Sequence, residues 1–166
     1  MRDFPELREL GAKDAPALHD FYACLSQATL RTFRPLGATT SLEVCQRIVE
    51  DSSVDPSSRI DWVAWHATQI VGWASISPLE PNHLDLGVCV AEAFQNRGIG
   101  TALLTQTLRL AQVRRFSPVY LMVVQDNQRA IRWYERHGFS TYGEEFDQAD
   151  QLHYFHMVKR SAKHVL

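Results

Sequence analysis

This sequence predicts an α/β fold: one mixed sheet with about seven strands and four helices. Three observations carry that expectation. Two β-rich runs, Ile60 to Ala67 and Ile70 to Ser77, lie close enough for a hairpin around Thr68-Gln69. A short apolar run, Val119 to Val124, separates two stretches of helical spacing, Gly98 to Arg115 and Asn127 to His137. The remaining strands and helices alternate without the repeating winding of a purely parallel sheet.

In chain order, Leu7 to Leu10 reads as the first strand. Asp14 is placed to cap a helix that has Pro16 in its first turn and Ala17, Leu18, Phe21 and Leu25 at helical spacing. Thr40 or Ser41 caps a second helix through Val44, Ile48 and Val49, and Asp51 to Ser58 reads as a loop. Pro78 and Pro81 are expected to end the hairpin, and Leu84 to Val90 is the next strand. The helix from Gly98 carries Ile99, Leu103 and Leu110 on one face, broadened by Ala102, Leu104, Leu108 and Ala111. Val119 to Val124 is apolar throughout, which predicts burial on both faces. The last helix stops at Gly138: Arg136 and His137 suit its negative end, Gly138 a left-handed position, and Phe139 the apolar contact beyond it. Two strands, Phe139 to Glu145 and Leu152 to Lys159, close the chain.

The 166 residues are expected to form one domain over 1–166, long enough to bury a core without a disulfide or metal staple. A hydrophobic fraction of 45% with 22% charged residues excludes a collagen, a coiled coil and a disordered tail protein. A net charge of -2 gives no overall pull toward nucleic acid or an anionic membrane. Three cysteines (Cys24, Cys45, Cys89) without a C-x-x-C pair suggest neither a disulfide framework nor a zinc knuckle. The N-terminus carries charges and a proline where a signal peptide needs an apolar run. The expectation is a soluble, cytoplasmic protein with no metal.

Two stretches carry chemistry. In Leu86 to Leu104 a strand runs into a polar loop, two glycines one residue apart, and an amphipathic helix. The start of such a helix offers unpaired backbone N–H groups and the positive end of its dipole. Gly98 and Gly100 leave those groups open to a phosphate, while Gln95, Asn96, Arg97 and Thr101 add donors. A dinucleotide fingerprint is disfavoured, because Leu103 stands where its third glycine or alanine belongs and Ala91 to Arg97 intervenes after the strand. In the second stretch, Asn127, Ala130 and Tyr134 fall on one helix face.

Together these stretches resemble the GNAT superfamily of N-acetyltransferases. Its phosphate-loop motif, Q/R-x-x-G-x-G/A, stands here as Gln95-Asn96-Arg97-Gly98-Ile99-Gly100. Its later motif is matched by Asn127, Ala130, Tyr134, Gly138 and Phe139. The resemblance covers residues 84 to 160 well and implies the GNAT-like acyl-coenzyme A N-acyltransferase fold. It implies acetyl-coenzyme A as cosubstrate, held by backbone groups at Val88 and Val90, by Gln95 to Thr101 including Ile99, and by Asn127 and Tyr134. It also implies that Leu84 to Val90 and Val119 to Val124 splay apart, with a bulge near Val88 aiming a donor at the thioester carbonyl.

The resemblance sets Tyr134 near the thioester sulfur, where its phenol is the expected acid for the departing thiolate; the other reading is a buried aromatic with a satisfied hydroxyl. The base is open: the resemblance calls for a glutamate between His83 and Val90 and none stands there, so Asp85 or His83 takes the role, or both are strand-edge residues. Cys89 reads as packing, and His153 and His156, three apart on a strand, face opposite ways and make no metal site. The partner expected is an amine acceptor, a small molecule or a protein amine, with a homodimer left open. Arg31 and Arg34 border the acceptor side and suit a carboxylate-bearing acceptor, or are simply solvated. Trp62, Trp65, Trp73 and Trp133 read mostly as core. The alternative is a non-catalytic acyl-coenzyme A sensor.

Overall fold

The computed structural model describes residues 4–33, 36–37 and 39–161. Arg34 lies outside them. The strands are β1 (Glu6–Glu9), β2 (Ile60–His66), β3 (Gln69–Glu80), β4 (His83–Val90), β5 (Val119–Val124), β6 (Ser140–Asp147) and β7 (Leu152–Lys159). They form one sheet in the order β1-β2-β3-β4-β5-β7-β6. Every neighbouring pair is antiparallel except β4 and β5. That parallel pair is registered only at Leu84–Val119 and Asp85–Tyr120, so the two strands part beyond Asp85 as the resemblance implied.

The helices are α1 (Ala15–Ala23), α2 (Gln27–Thr32), α3 (Leu42–Val54), α4 (Ile99–Val113) and α5 (Gln128–Arg136). One more helix is present than the sequence pattern indicated, and it is α2, six residues in what reads as a connection. Its signal is Ser26, whose hydroxyl accepts from the Thr29 N–H at 3.1 Å. Ser41 caps α3 through the Val44 N–H at 3.2 Å. Helix α3 also absorbs Asp51 to Val54, which the composition marks as loop. The serine hydroxyls there find partners that do not unwind the helix: Ser53 bonds back to the Val49 carbonyl at 2.7 Å, and Ser52 reaches Asp61 at 2.5 Å.

Asp14 stands at the N-terminus of α1 but caps nothing in it. Its carboxylate instead accepts from Arg8 at 2.6 and 3.0 Å and from the Gly11 N–H at 2.6 Å. Burial opposes its charge, yet those donors hold its carboxyl below the usual range. Strand β3 passes through Pro78 to Glu80 instead of ending there, because the pairing register shifts between those residues and Pro78 needs no donor at that point.

Helices α1 and α3 cover one face of the sheet, packing Leu18, Phe21, Tyr22, Cys45 and Ile48 on Val63, Trp73 and Cys89. Leu104 and Ala111 of α4, Ile131 and Tyr134 of α5, and Phe139 beyond it share the opposite core with Leu86, Val119, Leu121 and Met157. Strand β5 is fully buried on that second face, through Val119, Leu121 and Val123, while on the other face Tyr120 is half-buried, Met122 exposed and only Val124 inside. The splay from β4 leaves the other face of β5 open. Helix α4 buries Ile99, Leu103, Leu104, Thr107 and Ala111, while Leu108 and Leu110 sit half-buried at the margin. Trp73 is fully buried, and Trp62, Trp65 and Trp133 are partly so.

Asp61 is the buried charge of the sheet, 3% exposed, and the apolar pattern gives no hint of it. It accepts from Arg59 at 2.6 and 2.9 Å, from the Trp73 indole at 3.0 Å and from Ser52 at 2.5 Å. Asp61→Ala would strand the Arg59 guanidinium and two further donors. We expect a loss of about 3–5 kcal/mol in denaturant unfolding, the range for breaking a buried ion pair from one side.

Candidate active site

The parting of β4 and β5 creates a cavity of about 540 Å³ that passes through the sheet. Its walls take residues from both faces of both strands: Val88, Cys89 and Val90 from β4, Met122 and Val123 from β5. On one side it reaches the N-terminus of α4 and the length of α5. On the other it meets α2 through Ala28, Thr29 and Thr32, and Phe33 just beyond it. A strand pair that opens exposes backbone donors and acceptors that would otherwise bond each other, so this gap is a place where an extended polar ligand can pair with main chain.

At the first end, no side chain caps α4, so the N–H groups of its first turn face the cavity region without a partner supplied by the cap. Gly98 has φ +82°, and a Cβ there would meet nothing within 4 Å; its role is to adopt a left-handed turn beside open space. A Cβ on Gly100 would meet Val90 at 3.6 Å and Trp133 at 3.9 Å, ordinary contacts, while taking up room in the cradle itself. Trp133 donates to Thr101 Oγ1 at 3.1 Å and walls that end.

The loop residues named from the sequence divide. Gln95, Asn96, Gly98, Ile99, Gly100 and Thr101 line the cavity. Arg97 does not: its guanidinium donates to the Ala93 carbonyl at 2.7 Å and lies over Phe94. The positive charge comes instead from Arg129 and Arg136 of α5, both on the wall, with Arg129 donating to Asn96. Spacing from Asn127 gives no signal for them, since i+2 and i+9 fall on the helix face opposite Ala130 and Tyr134. Gln95 Nε2 holds the Val90 carbonyl at 2.9 Å, so that acceptor is already taken. Strand β4 pairs with β3 without a shift from Leu84 to Val90, so the opening at Val88 owes nothing to a bulge against β3; it is divergence from β5.

In the middle of the cavity, Asn127 caps α5 by accepting from the Ala130 N–H at 3.2 Å, which fixes the phase of the helix and turns Tyr134 inward. Tyr134 is 8% exposed, packed beside Trp133 and Phe139, and its hydroxyl has no hydrogen-bond partner among the described residues. Burial, then the charges of Asp85 and Cys89, raises its phenol above the ordinary value. Burial also pushes the Cys89 thiol up to about 12.

His83 and Asp85 share a face of β4 but do not line the cavity. Asp85 retains some surface, yet it is packed closely enough that desolvation pushes its carboxyl up to about 7. His83 stacks on Tyr120 with ring centroids 4.1 Å apart. Arg31 is committed to Asp126 at 2.7 and 3.1 Å, not free for an acidic acceptor. His153 packs on Phe146, and His156 bonds Glu145 at 2.9 Å. Among the described residues, no three His, Cys, Asp or Glu side chains gather as a metal site. No helix among them is long and apolar enough to cross a membrane.

Comparison with known proteins agrees with this geometry. The fold matches an acetyltransferase of the GNAT family from Streptococcus pneumoniae with a TM-score of 0.79 at 22% identity, covering 93% of this chain and 98% of the other. It matches a ribosomal-protein-alanine N-acetyltransferase from Brucella melitensis with a TM-score of 0.78 at 25% identity, covering 93% and 99%. YwnH of Bacillus subtilis (strain 168), provisionally named a phosphinothricin acetyltransferase, is 21% identical over 138 residues, 72% of this chain and 85% of the relative. The model of the acetyltransferase (GNAT) family matches residues 22–139, which span the cavity from α2 to the end of α5, and the chain belongs to that family.

Proposed function

We propose that this chain transfers an acetyl group from acetyl-coenzyme A to a primary amine by direct attack, in the cytoplasm. The observation that carries the reading is the cavity through the sheet, with the uncapped start of α4 at one end and Tyr134 in its middle. Acetyl-coenzyme A, as substrate, supplies the thioester. Its phosphates suit the α4 N–H groups together with Arg129 and Arg136, and its extended arm suits the edge of β4 at Val88 and Val90. Solved relatives bind such ligands: a Vibrio cholerae spermidine N-acetyltransferase, 16% identical with a TM-score of 0.75, was solved with coenzyme A and spermine.

In the reaction the amine nitrogen forms a bond to the thioester carbonyl carbon, and the carbon–sulfur bond then breaks. The main-chain N–H groups of β4 that face the gap are suited to stabilise the oxyanion that attack generates. Tyr134 gives its proton to the departing sulfur. Asp85 takes the amine proton through water, since a carboxyl near 7 is half in its basic form at neutral pH. His83, held against Tyr120, shapes the wall beside Asp85. A sensor that binds acetyl-coenzyme A and releases no thiol with any amine is the outcome that would overturn the proposal.

Three variants test the assignments. Gly100→Val should weaken acetyl-coenzyme A binding tenfold or more, about 1.4 kcal/mol, with apo thermal unfolding measured alongside; unchanged affinity in a folded variant rejects the cradle. Tyr134→Phe should hold affinity within a few-fold and lower the single-turnover rate by roughly 10²-fold, and a full rate would remove the acid role. Asp85→Asn tests desolvation. The wild-type carboxyl is raised in the fold, so the stability it allows is complete below about pH 4 and is lost as pH rises toward 7. The asparagine variant should therefore gain stability over wild type between about pH 4 and 7, by at most ~4 kcal/mol, with no further gain above 7. A pH-independent difference in melting would contradict it.

A further inference from the structure

On the α1–α3 face of the sheet, next to Asp85, three rings form a connected group. Tyr120 is the direct register partner of Asp85, and the His83 ring lies flat against it, 4.1 Å away with 17° between planes. Tyr142 meets Tyr120 edge-on at 5.8 Å and touches the ring of His156, which Glu145 holds at 2.9 Å. Tyr142 is 50% exposed. Met122, on the same face of β5 as Tyr120, is also exposed and lines the cavity. The ring group thus continues the wall of the cavity outward.

Charge ties this group to the reacting centre. Asp85, paired with Tyr120, is close enough for its charge to help raise the phenols of Tyr134 and Tyr142, in both cases after burial. Glu145 holds His156 in this group, and Arg31 is paired with Asp126 and so is not free to draw an anion. Arg160 is near enough to oppose the rise at Tyr142, but among the described residues arginine stacks only on Trp65 and Phe94, on none of these rings. Electron-rich phenol faces beside a poorly solvated carboxylate attract a cation and repel an anion.

We propose that His83, Tyr120 and Tyr142, with Asp85, form the acceptor subsite, and that it selects a primary ammonium on an aromatic or apolar skeleton over a carboxylate-bearing amine. The inference rests on the acetyl-transfer reading and names the acceptor class for it. The apolar body of the acceptor lies on Tyr142 and Met122, and its ammonium faces Asp85 before deprotonation.

The test uses the full chain, with 2-phenylethylamine as probe and glutamate as the anionic comparator. We expect calorimetric binding of phenylethylamine to the coenzyme A-loaded protein, and kcat/KM at least tenfold above that for glutamate. Tyr142→Ala should raise KM and Kd for phenylethylamine about tenfold, leaving acetyl-coenzyme A affinity unchanged, while Tyr142→Phe, which keeps the ring, should stay within twofold of wild type. A KM within twofold of wild type in the alanine variant, no calorimetric binding, or a preference for glutamate overturns the subsite. Thiol release with other amines in any of those cases would leave the acetyl-transfer reading standing. Binding of phenylethylamine without thiol release from any amine would overturn that reading and leave the subsite.

Discussion

A parallel strand pair that bonds at Leu84–Val119 and Asp85–Tyr120 and then diverges governs the rest of this molecule. Parallel pairing between central strands normally continues, because every unpaired main-chain group buried inside a sheet costs free energy. Here β4 is secured on its other edge by an unbroken antiparallel register with β3, and β5 is secured by β7 over its whole length. Each strand is therefore rigid without the other, and the gap between them persists as a slot. The slot explains why α2 exists as a helix at all. Ser26 and Thr29 bond Glu92 at the end of β4, while Arg31 pairs with Asp126 beyond β5, so this short element spans the opening and ties its two rims together. Both attachments are exposed, and each alone is a weak tether.

Much of this was legible from residue order. The strand Val119 to Val124, the strand Leu152 to Lys159 and the glycine-flanked start of α4 carry strong local signals, since apolar runs and left-handed glycines have few other uses. The phosphate-loop and α5 motifs located the cavity because they combine a helix start with a helix phase, and both are local geometry. What escaped were features set by distant partners. Asp14 has the residue type and place of a cap, but Arg8 on β1 claims its carboxylate first. The serines of Asp51 to Ser58 look like loop, and Asp61 across the sheet turns one of them into a helix residue. Arg97 stands inside the motif and turns away, whereas Arg129, outside it, faces in. Side-chain direction on a loop depends on what lies nearby, and spacing does not encode that.

One physical cause, loss of solvent on burial, acts on three groups of different chemistry, Cys89 and Tyr134 on the slot and Asp85 beside it. It raises the carboxyl of Asp85 to about 7, the thiol of Cys89 to about 12, and the phenol of Tyr134 above its ordinary value. For proton transfer these shifts must be judged as differences. A phenol with a raised pKa is a poorer acid, which taken alone argues against Tyr134 as a donor. A thiolate leaving inside the same slot suffers the same loss of solvation as Cys89, so its affinity for a proton climbs alongside that of the phenol. The gap between donor and acceptor therefore stays about what it is in water, and Tyr134 also keeps its proton at every neutral pH. Asp85 moves in the opposite functional sense, from a carboxylate too weakly basic to accept a proton to one matched to neutral solution. Burial thus adjusts both ends of the proposed proton traffic, Tyr134 on the ligand path and Asp85 at the last paired position before the strands part.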